Sequence, residues 1–532
     1  MTITGEMTRV SDEPVAGARA GSVSVDRVAP ILLGALAFAV AMLTVAPWPV
    51  GVFQDDAIYV VLAKALATGD GFRLINLPGA PHATHFPPAY PAFLAVLWKL
   101  FPEFPDNIVV FKFANALFLA GTAALTYRFA RTRFDLGYIA ASISAVIGTL
   151  SVAVLMVTGV VLSEPMYMLC VIPTLLAAER AAEDGDVRWA AAAGAAIGFL
   201  ALVRTVGVFA LPAALIVMVM RRQWRAATAC LVCALVFLVP WQMWVSAYHA
   251  ETPGVLVGKY GAYGPWLEEG YRAGGLPFAR AVLAKNANAL FGFLGYIALP
   301  VTIPWPRLIS LGTVLALLTL AAWRYWRRVP VTLVFLAGYG AVILVWPFEP
   351  MRFMLVWWPV LAVLLVGAAR TVWSWRPTAM ATRVARGAMI ACVALVAVGY
   401  TSYNVRGVRD KWWLTLQSSM AGPAKPIAEW VSRSTQPHDV VITDHDLIVY
   451  LYTGRRAIPT ATFTALGHIT PIDAVQGAAV LRGMIGDFSP RWYIAYAHQS
   501  IESAEILAAD SVPLLRYAGS IATARVYEPV AK

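Results

Sequence analysis

Residues 28–50, "VAPILLGALAFAVAMLTVAPWPV", form an unbroken apolar run, long enough as a helix to cross a hydrocarbon core about 30 Å thick. Such a stretch has little choice of fold, because in lipid its backbone polar groups must be satisfied within the segment itself. Further apolar segments follow at about 108–129, 136–157, 165–178, 189–203, 206–220, 226–245, 308–322, 331–346, 353–368 and 387–403. With 59% hydrophobic and only 13% charged residues, the chain reads as a polytopic α-helical membrane protein. Residues 1–27 are too long, too mixed in charge and too weakly basic for a signal-peptide n-region, and read as a cytoplasmic tail before an uncleaved span.

The net charge of +11 is informative through its placement. Basic residues beside short loops mark the cytoplasmic side and imply no nucleic-acid partner. "RFARTRF" (128–134), "RRQWR" (221–225), "WRYWRR" (323–328) and the stretch 370–386 share one face if about eleven segments cross, within a range of about 11–13. Two apolar segments then do not cross: 87–101, "PPAYPAFLAVLWKLF", lies in the outer interface, and 290–304 is interfacial or re-entrant. An odd count leaves the N-terminus inside and everything after about residue 404 outside. There the composition changes, with "HDVVITD" and "RWYIAYA" reading as buried strands, "AKPIAEWVSR" and "ESAEILAA" as helices, and "LLRYAGSIATARVYEP" as a closing strand pair. The expected organisation is a membrane domain over 28–403, with outer loops at 51–107 (carrying interfacial helices) and 246–306, followed by an extracytoplasmic α/β domain over 404–532. Cys170, Cys230, Cys233 and Cys392 all fall inside apolar runs, where packing is the expected role.

Ionisable residues at the outer mouth of a membrane need a reason. Asp55 and Asp56 follow the first span, and each suits a helix N-cap, with Ile58, Val61, Leu62, Ala65 and Leu66 making an apolar face for a helix lying on the bilayer. One cap needs one acid, so the second is open to chemistry. The following loop carries Arg73, His82 and His85, and the proline pair after His85 returns it to the membrane beside the aspartates. Glu164 in "VVLSEPMYML" is either a helix-start acid capped by Ser163 or part of a site. Arg204 in "FLALVRTVGVFALP" and Arg352 in "EPMRFMLVWWP" either snorkel to headgroups or face the same site. The loop "GKYGAYGPWLEEGYRAGG" reads as a mobile lid with Lys259 reaching phosphate, or as an interfacial aromatic belt.

In order along the chain, "FQDDAIYVVLAKALATGDGF", "HFPPAYPAFLAVLWKLF", "LSEPMYML" and "ALVRTVGVFALP" resemble the GT-C class of integral-membrane glycosyltransferases, which includes protein O-mannosyltransferases and lipid A aminoarabinose transferases. "EPMRFMLVWWPVL" and "VVITDHDLIVYLYTGRRAIP" resemble later segments of bacterial members more loosely. The resemblance implies transfer of a monosaccharide, with inversion, from a polyprenyl-phosphate donor to a hydroxyl of a glycan, lipid or protein acceptor, on the extracytoplasmic face of the cell (inner) membrane. It implies Asp55 as general base. Asp56 and Glu164 would shape the acceptor side or hold a divalent cation (magnesium, manganese or calcium), as in some members. Arg204, Arg352 and His85 would meet the donor phosphate, with Lys259 and Arg73 as further basic candidates. Where the lipid A transferases tend to have Asp-Glu and Lys-Pro-Pro, this chain has Asp-Asp and His-Phe-Pro-Pro, which argues against an aminoarabinose donor.

Two other functions compete. A transporter or flippase of lipid-linked sugar also needs outer arginines, but expects midplane charge on broken helices in repeated halves. A membrane-anchored sensor leaves the aspartates of the first loop idle.

Overall fold

The structure is a computed structural model that describes residues 16–47, 50–51, 53–298 and 304–530. Each apolar segment expected to cross overlaps a helix, the first of them, 28–50, only as far as Leu43. Among the described residues, Val25–Leu43, Asn107–Phe134, Trp224–Glu251, Pro304–Tyr325 and Met380–Arg409 are long and apolar enough to span a membrane. Tyr138–Thr149 and Val152–Thr158 make a sixth if counted together across their 55° bend. Val187–Val203, Thr205–Met220, Pro330–Val345 and Trp358–Ser374 are shorter apolar helices, and Glu164–Asp184 ends in charge. The bend is supported from neighbouring helices: Asn404 Oδ1 accepts from the Val152 amide (2.7 Å), while Tyr400 Oη (2.7 Å) and Trp358 Nε1 (3.0 Å) donate to the Ile147 carbonyl. Backbone groups freed by a break in lipid need such partners.

The basic clusters interlock at one end of the bundle. Arg131 forks onto Asp26, Arg133 pairs with Glu183, Arg221 donates to the Ala182 carbonyl, Arg370 donates to that of Asp135, and Phe134 packs on Tyr325. Asp26 shows that the expected tail is part of a helix, Ala16–Leu43, in its described portion; residues 1–15 lie outside the described residues. At the same end Glu179 Oε1 accepts from both the amide (2.7 Å) and hydroxyl (2.8 Å) of Thr332, capping Pro330–Val345 from a neighbouring helix.

The other end carries the loops. Helix Asp55–Thr68 does not lie on the bilayer as its apolar face suggested. It is buried almost all round, from Asp56 to Ala63, because it is apolar all round and needs cover on every side. Ala89–Leu100 is too short to cross and buries Tyr90, Leu94 and Trp98 while exposing Val96 and Leu100. The segment expected to be interfacial or re-entrant at 290–304 continues the helix Tyr263–Ala298, which kinks at Gly275 (φ 56°); residues 299–303 lie outside the described residues.

The C-terminal domain is an α/β sandwich with sheet order β2-β1-β3-β5-β4, for β1 (Val440–Thr443), β2 (Arg456–Ile458), β3 (Trp492–Ala495), β4 (Leu515–Ile521) and β5 (Ala524–Pro529). β1 pairs in parallel with β2 and β3, and β5 runs antiparallel to β3 and β4. Val441, Ile442, Tyr493 and Ile494 are fully buried, as expected of central strands. The last span runs on to Arg409, so the boundary expected at 404 falls within a helix. β2, of three residues, is too short for a periodic signal.

This domain is tightly seated on the loops. A Cβ on Gly258 would lie 1.4 Å from the Phe463 carbonyl oxygen, and one on Gly51 2.3 Å from Ile448 Cγ1. Only the missing side chains allow these approaches.

Candidate active site

The two aspartates divide their work. Asp56 is buried, and its carboxylate accepts from the amides of Gly51 (2.8 Å) and Phe53 (3.1 Å), holding the turn that enters the helix. Burial pushes its carboxyl up to about 6, against the pull of those amides. Asp55 points the other way. Its side chain is 32% exposed, and Oδ2 accepts from Arg352 Nη2 at 2.8 Å. Oδ1 has no hydrogen bond among the described residues.

Glu164 enters the same cluster from the start of Glu164–Asp184. The chain before it is held by Asn115, whose Nδ2 donates to the carbonyls of Val160 (2.8 Å) and Leu162 (3.1 Å), and whose Oδ1 accepts from Tyr90 Oη (3.1 Å). Glu164 is fully buried. Oε1 accepts from Arg352 Nε and also lies 2.8 Å from Nη2, while Arg204 Nη1 lies 2.9 Å from Oε2 as an ion pair. Arg204 ends the helix Val187–Val203 in extended backbone and also donates to Ser163 Oγ (3.0 Å), which meets Tyr59 Oη at 2.9 Å. The result is an alternating row, Asp55, Arg352, Glu164, Arg204, in which two acids and two guanidinium groups balance. Arg352, 28% exposed, has an open side; Arg204, at 10%, is packed away.

His85 lies near this row and is held from the second large loop. Its Nδ1 donates to the Gly261 carbonyl (2.5 Å), its ring packs on Tyr263 at 3.9 Å, and burial pushes its pKa down to about 4. With its proton on Nδ1 the ring presents Nε2 as an acceptor. Arg73 bridges to His82 through the backbone and donates to the Ala80 carbonyl, tying its own loop.

Lys259 does not reach the row. Its Nζ pairs with Asp446 Oδ1 of the C-terminal domain at 2.7 Å, and Tyr260 Oη donates to Oδ2 at 2.6 Å, all buried. The loop around Lys259 is thus a strut, reinforced where Trp266 Nε1 donates to the Phe463 carbonyl (2.7 Å). Asp446→Ala strands a buried ammonium, a change worth about 3–5 kcal/mol. The expected result is faster proteolytic release of the C-terminal domain; an unaltered cleavage rate contradicts the strut.

The pair suggested for a divalent cation is not assembled. Glu164 is neutralised by two guanidinium groups and Asp56 is committed to backbone amides, and among the described residues no group of three or more His, Cys, Asp or Glu converges on a metal geometry. These residues do not fit a cation site. Tyr59, Tyr263 and Asn115 belong to the site or its support without having been singled out from sequence. Asn115 had a usable signal, an amide within an apolar span. Tyr59 had another, one helical turn beyond Asp55.

The many-helix bundle with a small terminal sheet, gathering acids and arginines at the loop-bearing end, has counterparts among known proteins. Residues 85–244 match the family model of dolichyl-phosphate-mannose-protein mannosyltransferase. Two crystal structures of ArnT from Cupriavidus metallidurans share the fold. The one bound to undecaprenyl phosphate has a TM-score of 0.56 at 14% identity, covering 94% of this chain and 98% of that one. The apo state has a TM-score of 0.57 at 15% identity, covering 96% and 98%. No curated protein sequence matches the chain.

Proposed function

We propose that the protein transfers a monosaccharide from a polyprenyl-phosphate donor to a hydroxyl of an extracytoplasmic acceptor, with inversion. The observation that carries this reading is the Asp55–Arg352 pair, an accessible carboxylate and an accessible guanidinium 2.8 Å apart. The matched family's description and the undecaprenyl phosphate named for one fold relative support the donor class. The basic end of the bundle is read as cytoplasmic.

In the resting protein Arg352 is shared between Asp55 and Glu164. An arriving donor phosphate competes with Asp55 for Nη2 and frees the carboxylate. Asp55 then takes the proton of the acceptor hydroxyl as its oxygen bonds to the anomeric carbon. The bond from that carbon to phosphate oxygen breaks, its electron pair leaving on the phosphate, where Arg352 meets the new charge. Glu164 and Arg204 hold Arg352 in place.

The test is reconstituted protein in liposomes with undecaprenyl-phosphate-linked labelled monosaccharides and a cell-envelope extract as acceptor. The expected result is release of undecaprenyl phosphate in step with label entering the acceptor, falling about 10²-fold or more in Arg352→Ala. Label that crosses the bilayer still attached to its lipid would instead establish a flippase.

A further inference from the structure

Away from the acid–arginine row, the C-terminal domain contains a cavity of about 300 Å³. That is the lower end of the range for small-ligand sites, about 300–1,000 Å³. Its position has a topological reason. The chain leaves β1 for β2 on one side and returns to β3 on the other, so the carboxyl ends of β1 and β3 form the switch point at which open α/β sheets bind ligands. Thr460, just past β2, and Ser500, in the first turn after β3, line the cavity there.

The wall is polar but uncharged. Asp444, directly after β1, sits behind it and accepts the hydroxyl protons of Thr460 and Ser500 (2.8 Å for Ser500) and the amide protons of Tyr496 (2.6 Å) and Ala497 (2.9 Å). Ser500 Oγ also lies 3.0 Å from Thr460 Oγ1, so the two oxygens share that contact and each keeps a lone pair for the cavity. The Gln499 amide nitrogen donates to the Ile472 carbonyl, which leaves its oxygen as a further acceptor. Thr462 makes no side-chain hydrogen bond among the described residues, and His468 Nε2 is buried without a partner. Phe463, Pro471 and Val480 add apolar surfaces, and no Asp, Glu, Lys or Arg is among the lining residues. Burial and the Lys285 ammonium hold the His468 imidazole below its ordinary pKa. No charged side chain in the lining compensates a phosphate or carboxylate, and the Asp444 carboxylate behind the wall opposes one, whereas hydroxyl-rich walls with apolar plates complement a sugar ring, whose edge is hydroxyl and whose face is C–H.

We propose that this cavity binds a neutral saccharide, the sugar portion of the acceptor. Its assignment to the acceptor rests on the transferase reading above. The wall is joined to the catalytic row: the His468 ring packs on Phe348 at 4.5 Å, its carbonyl accepts from Lys285 Nζ (2.9 Å), and Lys285 pairs with Glu349 (3.2 Å), in the segment that leads into Arg352. A saccharide in the cavity therefore rests against the support of Arg352.

Saturation-transfer NMR on the full chain in nanodiscs, in an Asp55→Asn background and without donor, tests this with maltose and mannobiose as probes and glucose 6-phosphate as the charged control. The neutral disaccharides are expected to bind saturably and the phosphate not to bind. Thr462→Trp, on a loop, fills the cavity and abolishes binding; Thr462→Val, nearly isosteric, weakens it by about two- to tenfold. Absence of saturable disaccharide binding, or binding unaltered in both variants, overturns the site. Because no transfer is read, a failed transferase assay leaves this result standing on its own.

Discussion

Asp55→Asn is expected to lower sugar transfer by about 10²–10⁴-fold, the usual contribution of a positioned general base. The amide keeps the shape of the carboxylate and can still accept from Arg352 through its oxygen, so the cluster retains its geometry. What it lacks is a basic oxygen for the acceptor proton. A second consequence separates this variant from simple damage. Asp55 and the donor phosphate compete for Arg352 Nη2, so removing the negative charge should tighten binding of undecaprenyl phosphate, measured by calorimetry at constant salt. Full activity in this variant would remove Asp55 as base, and weakened lipid-phosphate binding would remove the competition.

Glu164→Ala is expected to have the largest effect on stability. Glu164 is fully buried and, among the described residues, is the anion that Arg204 and Arg352 share. Without it two guanidinium groups face each other, with Asp55 alone, at the partly exposed end of the row, to balance them. Breaking a buried pair by removing one partner costs about 3–5 kcal/mol, because the remaining charge stays desolvated. The midpoint of thermal unfolding in detergent should fall clearly, and transfer should fall with it as Arg352 loses its support. Glu164→Gln, which keeps volume and an acceptor oxygen, should recover part of the stability and little of the activity. An unchanged midpoint in the alanine variant contradicts the central place given to this carboxylate.

The order of helices could be read along the chain because hydropathy is a local property. Each expected span overlaps a helix, including the segment 136–157, which the structure bends between Thr149 and Val152. The terminal strands were legible for the same reason, "VVIT" and "WYIA" being short continuous apolar runs. β2 was not, since three residues carry no period. Helix Asp55–Thr68 was misplaced because an apolar face cannot report whether lipid or protein covers it. A basic residue in a glycine-rich loop, such as Lys259, reads as free for phosphate in the sequence, because its partner, Asp446, is a domain away.

The candidate site divides in the same way. Acids and arginines near one rim of a membrane are exceptions to local composition, so Asp55, Glu164, Arg204 and Arg352 could be picked out one by one. Their alternation is a property of distance, not of order. Arg352 meets Asp55 and Glu164 at 2.8 Å although nearly three hundred positions separate it from the first, and nothing in the intervening chain encodes that meeting. Which aspartate meets the guanidinium was also decided by folding, when the amides of Gly51 and Phe53 took Asp56 and left Asp55 for Arg352. Burial then set the value of each pairing, since the same charges in water would attract one another only weakly.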